Sequence, residues 1–288
     1  MPTTEELRAF VRLHLKQRAY DYPARDGDLD VGSLGYAPDA FADALRARTD
    51  RYDVVEETRV SYRDSQRPMF SVASRPTNAR ARLLIISGIH GNEQAGIVSI
   101  PEILDRYDND AVALRVLTPV NPIGAAEFSR FNAEGYDINR DFLQFRTEEA
   151  RVVRRVFDDF RPDFVLSLHE GPQNAAFVFA NASVDGALAR RLLDALAAGG
   201  TALATRDYFG LPLRPPGLSA SSPFHRAVLR VWEAGFKMQA VNAFAAARGV
   251  PEITLETPWR SDDHAARIRA HVDLTLALAG ELAARAAG

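Results

Sequence analysis

The chain has no cysteine among its 288 residues, which excludes a disulfide framework, a thiolate nucleophile, an iron–sulfur cluster and a Cys-ligated structural zinc. Any metal must therefore be held by nitrogen and oxygen, which means the six histidines and the carboxylates. Lysine is almost missing too: the 35 basic residues include only Lys16 and Lys237, and 38 acids outnumber them to leave a formal charge of −3. That is not the balance of a nucleic-acid binder, which needs a basic excess to displace counterions from phosphates. No stretch approaches the roughly 18 uncharged apolar residues of a membrane span. The opening MPTTEELRAF has two acids and no apolar run, unlike a secretory signal. A cytoplasmic protein without membrane partners is the expectation. What is present, 47% hydrophobic and 25% charged residues, is ordinary globular composition with material for a large core. The excess of arginine over lysine reads as coding bias.

Thr3 with Glu6 forms a capping-box pattern, and Leu7, Phe10, Val11 and Leu15 follow on one face, so residues 3–19 are expected to be helical. A second helix is expected over Asp39–Arg48, and a strand pair over Tyr52–Tyr62 and Pro68–Ser74. From Ala81 the pattern changes to buried strands alternating with amphipathic helices: LLIIS, a helix near Glu93–Tyr107, AVALRVLTP, a helix near Glu148–Phe160, and DFVLSLH. Continuous apolar strands with helical crossovers indicate an α/β sheet covered on both faces, with ligand sites at the carboxyl ends of its strands. A strand at Ala175–Ala180, a helix over Asp185–Ala198 and a Pro-rich loop over Thr205–Pro223 come next. Helices over Phe224–Phe236 and Met238–Arg248, a strand EITLE and a last helix from about Asp262 to Ala284 complete the reading. The simplest division is an amino-terminal helical and hairpin extension, residues 1–80, packed on a domain of residues 81–288.

The polar motifs fall at those strand ends. In ISGIHGNEQAG, His90 and Glu93 span a strand-to-helix turn, and Gly88 and Gly91 let the backbone bend. Alone, this pair is equally readable as a helix cap and its partner. The loop NPIGAAEFSRFNAEGYDINRDF concentrates Arg130, Asn132, Asp137, Asn139, Arg140 and Asp141. Arginine grips carboxylates and oxyanions through paired hydrogen bonds and asparagine adds a neutral donor, so an anion-reading loop is implied. Asp137 and Asp141 are accounted for by pairing with arginines to tie the loop down. His169 ends the strand DFVLSLHEG and Glu256 ends EITLE. A carboxylate beside a metal-activated water is the usual acceptor for its proton. His14, His225, His264 and His271 have no motif around them and read as surface or packing residues.

These four motifs, between about Arg82 and Pro258, resemble those of the zinc-dependent carboxypeptidases, bacterial type, and of the related succinylglutamate desuccinylase/aspartoacylase group. HGNE is similar to the family's HxxE pair, which implies His90 and Glu93 as ligands of one Zn2+ ion, with His169 of LSLHEG as the third. RFNAEGYDINRDF resembles R-x-N-x-x-G-x-D-x-N-R-D-F. The resemblance implies that Arg130 polarises the scissile carbonyl, that Asn139 and Arg140 hold the substrate's terminal carboxylate, and that Glu256 is the general base. It also implies an α/β fold with a mixed, mostly parallel sheet of about eight strands between helices. Two histidines and a glutamate leave a coordination position open, the arrangement of a hydrolytic rather than a structural zinc.

The sequence departs from the family in lacking a Tyr shortly before the general base. The only Tyr between His169 and Glu256 is Tyr208, in the Pro-rich loop, and it is the candidate to contact substrate. The stretch VWEAGFKMQAVN offers Trp232, Phe236 or an Asn instead, with core packing expected of the aromatics. If this stretch lines the specificity pocket, Met238, Val241 and Ala245 suggest an apolar preference. The function expected is hydrolysis of an amide next to a free carboxylate in a peptide or N-acyl amino acid, as a carboxypeptidase. Deacylation of the aspartoacylase kind and cell-wall peptide amidase activity are variants of the same chemistry. A zinc-binding module without activity is a reading from another class, but it has no use for a proton acceptor at Glu256.

Overall fold

The computed structural model describes Thr4, Arg18 and residues 31–221 and 230–287. The helix expected over residues 3–19, the first part of the one expected at Phe224, and His14 and His225 lie outside the described residues.

Among the described residues, eight strands form one sheet in the order β1-β2-β4-β3-β5-β8-β6-β7. They are β1 (Tyr52–Tyr62), β2 (Ser65–Ser74), β3 (Ala81–Ser87), β4 (Val112–Thr118), β5 (Phe164–Gly171), β6 (Phe177–Ala180), β7 (Leu218–Ala220) and β8 (Glu252–Pro258). The middle, β4-β3-β5-β8, is parallel. β1 and β2 form an antiparallel hairpin on the β4 side, whereas β6 runs antiparallel to β8 and carries β7 parallel to it. The expected mixed, mostly parallel α/β sheet is therefore what the chain forms. β1 and β2, from the segment ahead of Ala81, are strands of this same sheet.

Both faces of the parallel strands are apolar because both are covered. Leu83, Ile85, Leu166, Leu168, Ile253 and Leu255 face one core, under the helices Ile100–Arg106, Gly186–Ala198 and His264–Arg285. Leu84, Ile86 and Val165 face the other, under Glu148–Phe160 and Val241–Ala246. Thr147 caps the former through Ala150 N at 3.2 Å. The helix expected near Glu93–Tyr107 forms as two pieces, Ala95–Val98 and Ile100–Arg106. Pro101 has no N–H to give the carbonyl four residues back, so the helix restarts there. β7 was not expected inside the Pro-rich loop; it is three residues long and depends on pairing with β6.

Candidate active site

The carboxyl ends of β3, β5 and β8 meet at one cavity. Beyond β3 the parallel ladder continues, as Val120 N donates to Ser87 O at 2.9 Å and Asn121 N to Gly88 O at 2.8 Å. This lays the loop after β4 beside His90–Glu93. Gly91 sits so close to it that an added Cβ would lie 1.9 Å from Gly124 C, so close backbone approach is what this glycine supplies. Gly88 does make the bend expected of it, at φ +71°. On the neighbouring strands, His169 of β5 stands opposite Glu256 of β8.

Glu93 lies between the two histidines. Its Oε1 is 2.7 Å from His90 Nδ1 and its Oε2 2.7 Å from His169 Nδ1, and Glu170 N donates to Oε2 at 3.2 Å. One ligand atom from each of His90, Glu93 and His169 lies within 4.8 Å of the others, and all three residues are buried. The far side of the His90 ring faces Asp137, with Nε2 3.2 Å from Oδ1. With its proton held there, the Nδ1 lone pair confronts a carboxylate oxygen, two acceptors at 2.7 Å. Such a contact is satisfied by a cation shared between them, and Arg130 Nη1 already approaches both atoms, at 3.3 and 3.4 Å. Burial, opposed by Glu93, lowers the His169 pKa, favouring the neutral ligand form. For Glu93 the burial penalty is outweighed by the imidazoles, which hold its carboxyl well below the usual range. The donor set thus fits a divalent ion of the zinc class, with Asp137 as the group that fixes the ring orientation of His90.

Asp137 also receives Arg130, with Nε to Oδ2 at 3.0 Å and Nη2 to Oδ2 at 2.9 Å. Arg130 Nη1 reaches Glu93 Oε1 at 3.4 Å, and Asn121 Nδ2 holds the Arg130 carbonyl at 3.2 Å. Burial pushes the Asp137 carboxyl up, but Arg130 and Arg140 leave it well below its ordinary value. Asn139 accepts Val241 N on Oδ1 at 3.0 Å, which leaves its amide N–H groups for the cavity it lines. Arg140 is buried, donates to the Asn139 carbonyl at 2.8 Å, and stacks on the Trp232 ring with its central carbon 5.1 Å from the centroid. Burial, reinforced by Glu93 and opposed by Arg130, lifts the Glu256 carboxyl well above the carboxylate range. A cation on Glu93 would oppose that rise. Tyr208 packs between Phe177 and Phe179, both with centroids at 5.5 Å. Burial and then Glu256 raise its hydroxyl well above 10, so it stays a neutral donor.

His90, Glu93, Arg130, Asn139, Arg140, His169, Tyr208 and Glu256 all line one cavity of about 420 Å³, a size suited to a small ligand. Asp141 was expected to tie the loop through an arginine; it ties it through Thr147 instead, whose N and Oγ1 donate to it at 2.7 and 2.9 Å. His264 is exposed, and His271 is buried against Thr257, its pKa lowered to about 3 by burial. Three further expectations need correction. Met238, Val241 and Ala245 do not line the cavity; all are buried, Val241 and Ala245 in the core beneath the helix, and Ala240 and Asn242 face the cavity instead. Trp232 lines it rather than the core, and Phe236 is 58% exposed. Sequence reasoning missed the hold of Asp137 on His90 and missed Glu170, which lines the cavity fully buried. Glu170 accepts Arg267 Nε at 2.8 Å and Ala95 N at 2.8 Å, while Arg267 Nη2 reaches Gly32 O at 3.0 Å.

Residues 79–206 match the succinylglutamate desuccinylase/aspartoacylase catalytic domain family. A stretch of 116 residues is 30% identical to carboxypeptidase 2 of Trichophyton rubrum, covering 37% of this chain and 22% of that protein. Another of 90 residues is 33% identical to murein peptide amidase A of Escherichia coli K12, covering 28% of this chain and 33% of the amidase. The chain thus spans between about a fifth and a third of the length of these curated relatives. Its fold is that of a metallo-carboxypeptidase from Burkholderia cenocepacia, with a TM-score of 0.63 at 16% identity over 88% of this chain and 70% of that one. The resemblance carried by the four motifs is borne out as a similarity: residues 79–206 match the desuccinylase/aspartoacylase catalytic domain, and the fold is shared with a solved metallo-carboxypeptidase. Among the described residues no helix is long and apolar enough to cross a membrane.

Proposed function

We propose that the protein is a zinc-dependent hydrolase that cleaves an amide next to a free carboxylate, acting as a carboxypeptidase. The observation that carries this reading is the convergence of the His90–Glu93–His169 set, Glu256 and the Asn139–Arg140 pair on one cavity. An ion held by the set would supply Lewis acidity, lowering the pKa of water and polarising the carbonyl. Glu256, one strand away from His169, takes the proton of the attacking water and delivers it to the departing nitrogen. Arg130, fixed by Asp137, presents its guanidinium to the oxygen on which negative charge develops. Arg140 and the amide of Asn139 receive the terminal carboxylate, and Tyr208 lines the same cavity. The domain match and the amidase likeness favour a second reading, removal of an acyl group from an amino acid or a cell-wall peptide. It uses the same residues on a different leaving group.

The test is a panel of N-blocked dipeptides, N-acyl amino acids and muropeptides given to zinc-loaded protein and scored for amino-acid release. Glu256→Gln is expected to bind zinc as the parent does and to lose at least about a thousandfold in turnover. Parental turnover in that variant would remove Glu256 from the reaction, and no release from any member by the parent would remove the hydrolase reading.

A further inference from the structure

Glu252, Thr254 and Glu256 alternate along one face of β8. Glu256 lies between His169 and Phe177, Thr254 between Ser167 and Phe179, and Glu252 beside Val165. Two strand residues rise roughly 7 Å, so Thr254 lies about one side-chain length deeper than Glu256. The cavity extends to that depth, where Thr254, Asn242, Ser219 and Ser221 line it. Behind this wall Glu252 is fully buried. It accepts Thr254 Oγ1 at 2.7 Å and a short hydrogen bond from Asn242 Nδ2.

An ionised carboxylate can only accept. It therefore claims the hydroxyl proton of Thr254 and one of the two amide N–H groups of Asn242, and leaves the Thr254 lone pair and Asn242 Oδ1 as acceptors. Burial raises the Glu252 pKa to about 7 against hydrogen bonds from Thr254, Ser167 and Asn242, so the ionised form prevails at mildly alkaline pH. We propose that Glu252 is a positioning residue for specificity: it makes the far wall an array of hydrogen-bond acceptors, so the pocket selects terminal side chains ending in N–H donors over apolar isosteres. This rests on the reading of Asn139 and Arg140 as the carboxylate site and says which side chain lies beyond it. A primary amide or an ammonium meets the array. An alkyl end leaves Asn242 Oδ1 and the Thr254 oxygen without a donor, which is the larger part of the discrimination.

Product binding tests this without turnover. Ligand-observed NMR titrations at pH 8 would compare near-isosteric free amino acids on the zinc-loaded protein, lysine against norleucine and glutamine against methionine. An advantage of roughly tenfold is expected for the donor-ended member of each pair. In Glu252→Gln the carboxamide must itself donate to one partner, which turns a donor toward the cavity, so the advantage should shrink to within about threefold; Asn242→Leu should shrink it likewise. The parent ratios need no variant, so equal affinities within both pairs overturn the inference whether or not the variants fold. A ratio that survives in folded Glu252→Gln overturns it as well. Dipeptides ending in the same residues, assayed alongside, separate the two levels. Preference in binding without any hydrolysis supports the pocket and sinks the peptidase, whereas hydrolysis without preference does the reverse.

Discussion

Neutralising Asp137 while keeping its shape, Asp137→Asn, separates a loop tie from an orienting group. The carboxylate is fully buried and holds Arg130 through two contacts at 3.0 and 2.9 Å, Asn139 N at 2.9 Å and His90 Nε2 at 3.2 Å. Removing one partner of a buried ion pair costs about 3–5 kcal/mol, and Asn retains one acceptor oxygen, so the lower end applies, about 3 kcal/mol. For a chain of this size that is a fall in Tm of roughly 5 °C. The asparagine N–H groups must also point at a donor, either Arg130 or His90 Nε2. The Arg130 cation retains the remaining oxygen, so the N–H groups face His90; the imidazole loses the partner that fixes its tautomer, and zinc affinity should fall about 10–100-fold. Competition with a chromophoric chelator measures the second effect and calorimetry on chelator-treated protein the first. Asp141→Asn is the control, because its partners are the Thr147 N–H and hydroxyl. It should lose about 1–2 kcal/mol and no zinc affinity. Asp137→Asn binding zinc within twofold of the parent would refute the claim that Asp137 holds His90 in its ligating orientation.

Arg130→Ala should lose about 10²–10³ in kcat from the missing oxyanion partner. Since Asp137 loses its counter-ion in the same step, zinc affinity should fall too, and a variant with full affinity and normal turnover would remove Arg130 from both roles. Tyr208→Phe keeps the ring contacts with Phe177 and Phe179, so unfolding should be unchanged while KM rises about tenfold; an unaltered KM would make the tyrosine a packing residue. Burial raises the Glu149 pKa from 4.5 to about 7. An acid raised in the folded state binds its proton more tightly there, so its stability contribution is complete below about pH 4.5 and is lost as pH rises through about 7. Glu149→Gln, which keeps an acceptor for Asn132 Nδ2, should flatten the decline in Tm across that window, by an amount on the order of 3 kcal/mol. Parallel curves for parent and variant would contradict the buried-acid assignment.

The parallel core was legible because burial on both faces leaves long apolar runs such as LLIIS and FVLSLHEG, and chemistry falls where those runs stop, at His90 and His169. Strand Leu218–Ala220 was not, since it owes its existence to β6 rather than to its own residues. The pocket was misread for a related reason. The face that helix Val241–Ala246 presents depends on where it starts, and that start is set by Asn139 Oδ1 on Val241 N, 102 residues away in the chain. A shift of one position exchanges Val241 for Asn242. Asp137 looked like a partner for arginine, and it is one. Its second duty required knowing that the His90 ring arrives from another strand.

The Glu170–Arg267 pair has a consequence for the order in which the molecule can be made. Glu170 follows a zinc-ligand candidate directly and donates its N–H to Glu93, yet the cation that balances its buried carboxylate emerges 97 residues later. Burial, with a smaller contribution from Glu93, raises the Glu170 pKa against the pull of Arg267. A nascent chain that already holds β3, β4 and β5 would therefore have to fold the centre around an unbalanced charge. Until helix His264–Arg285 is synthesised and Arg267 reaches Glu170, the metal site has reason to stay open, so metal affinity should appear only once that helix has been made.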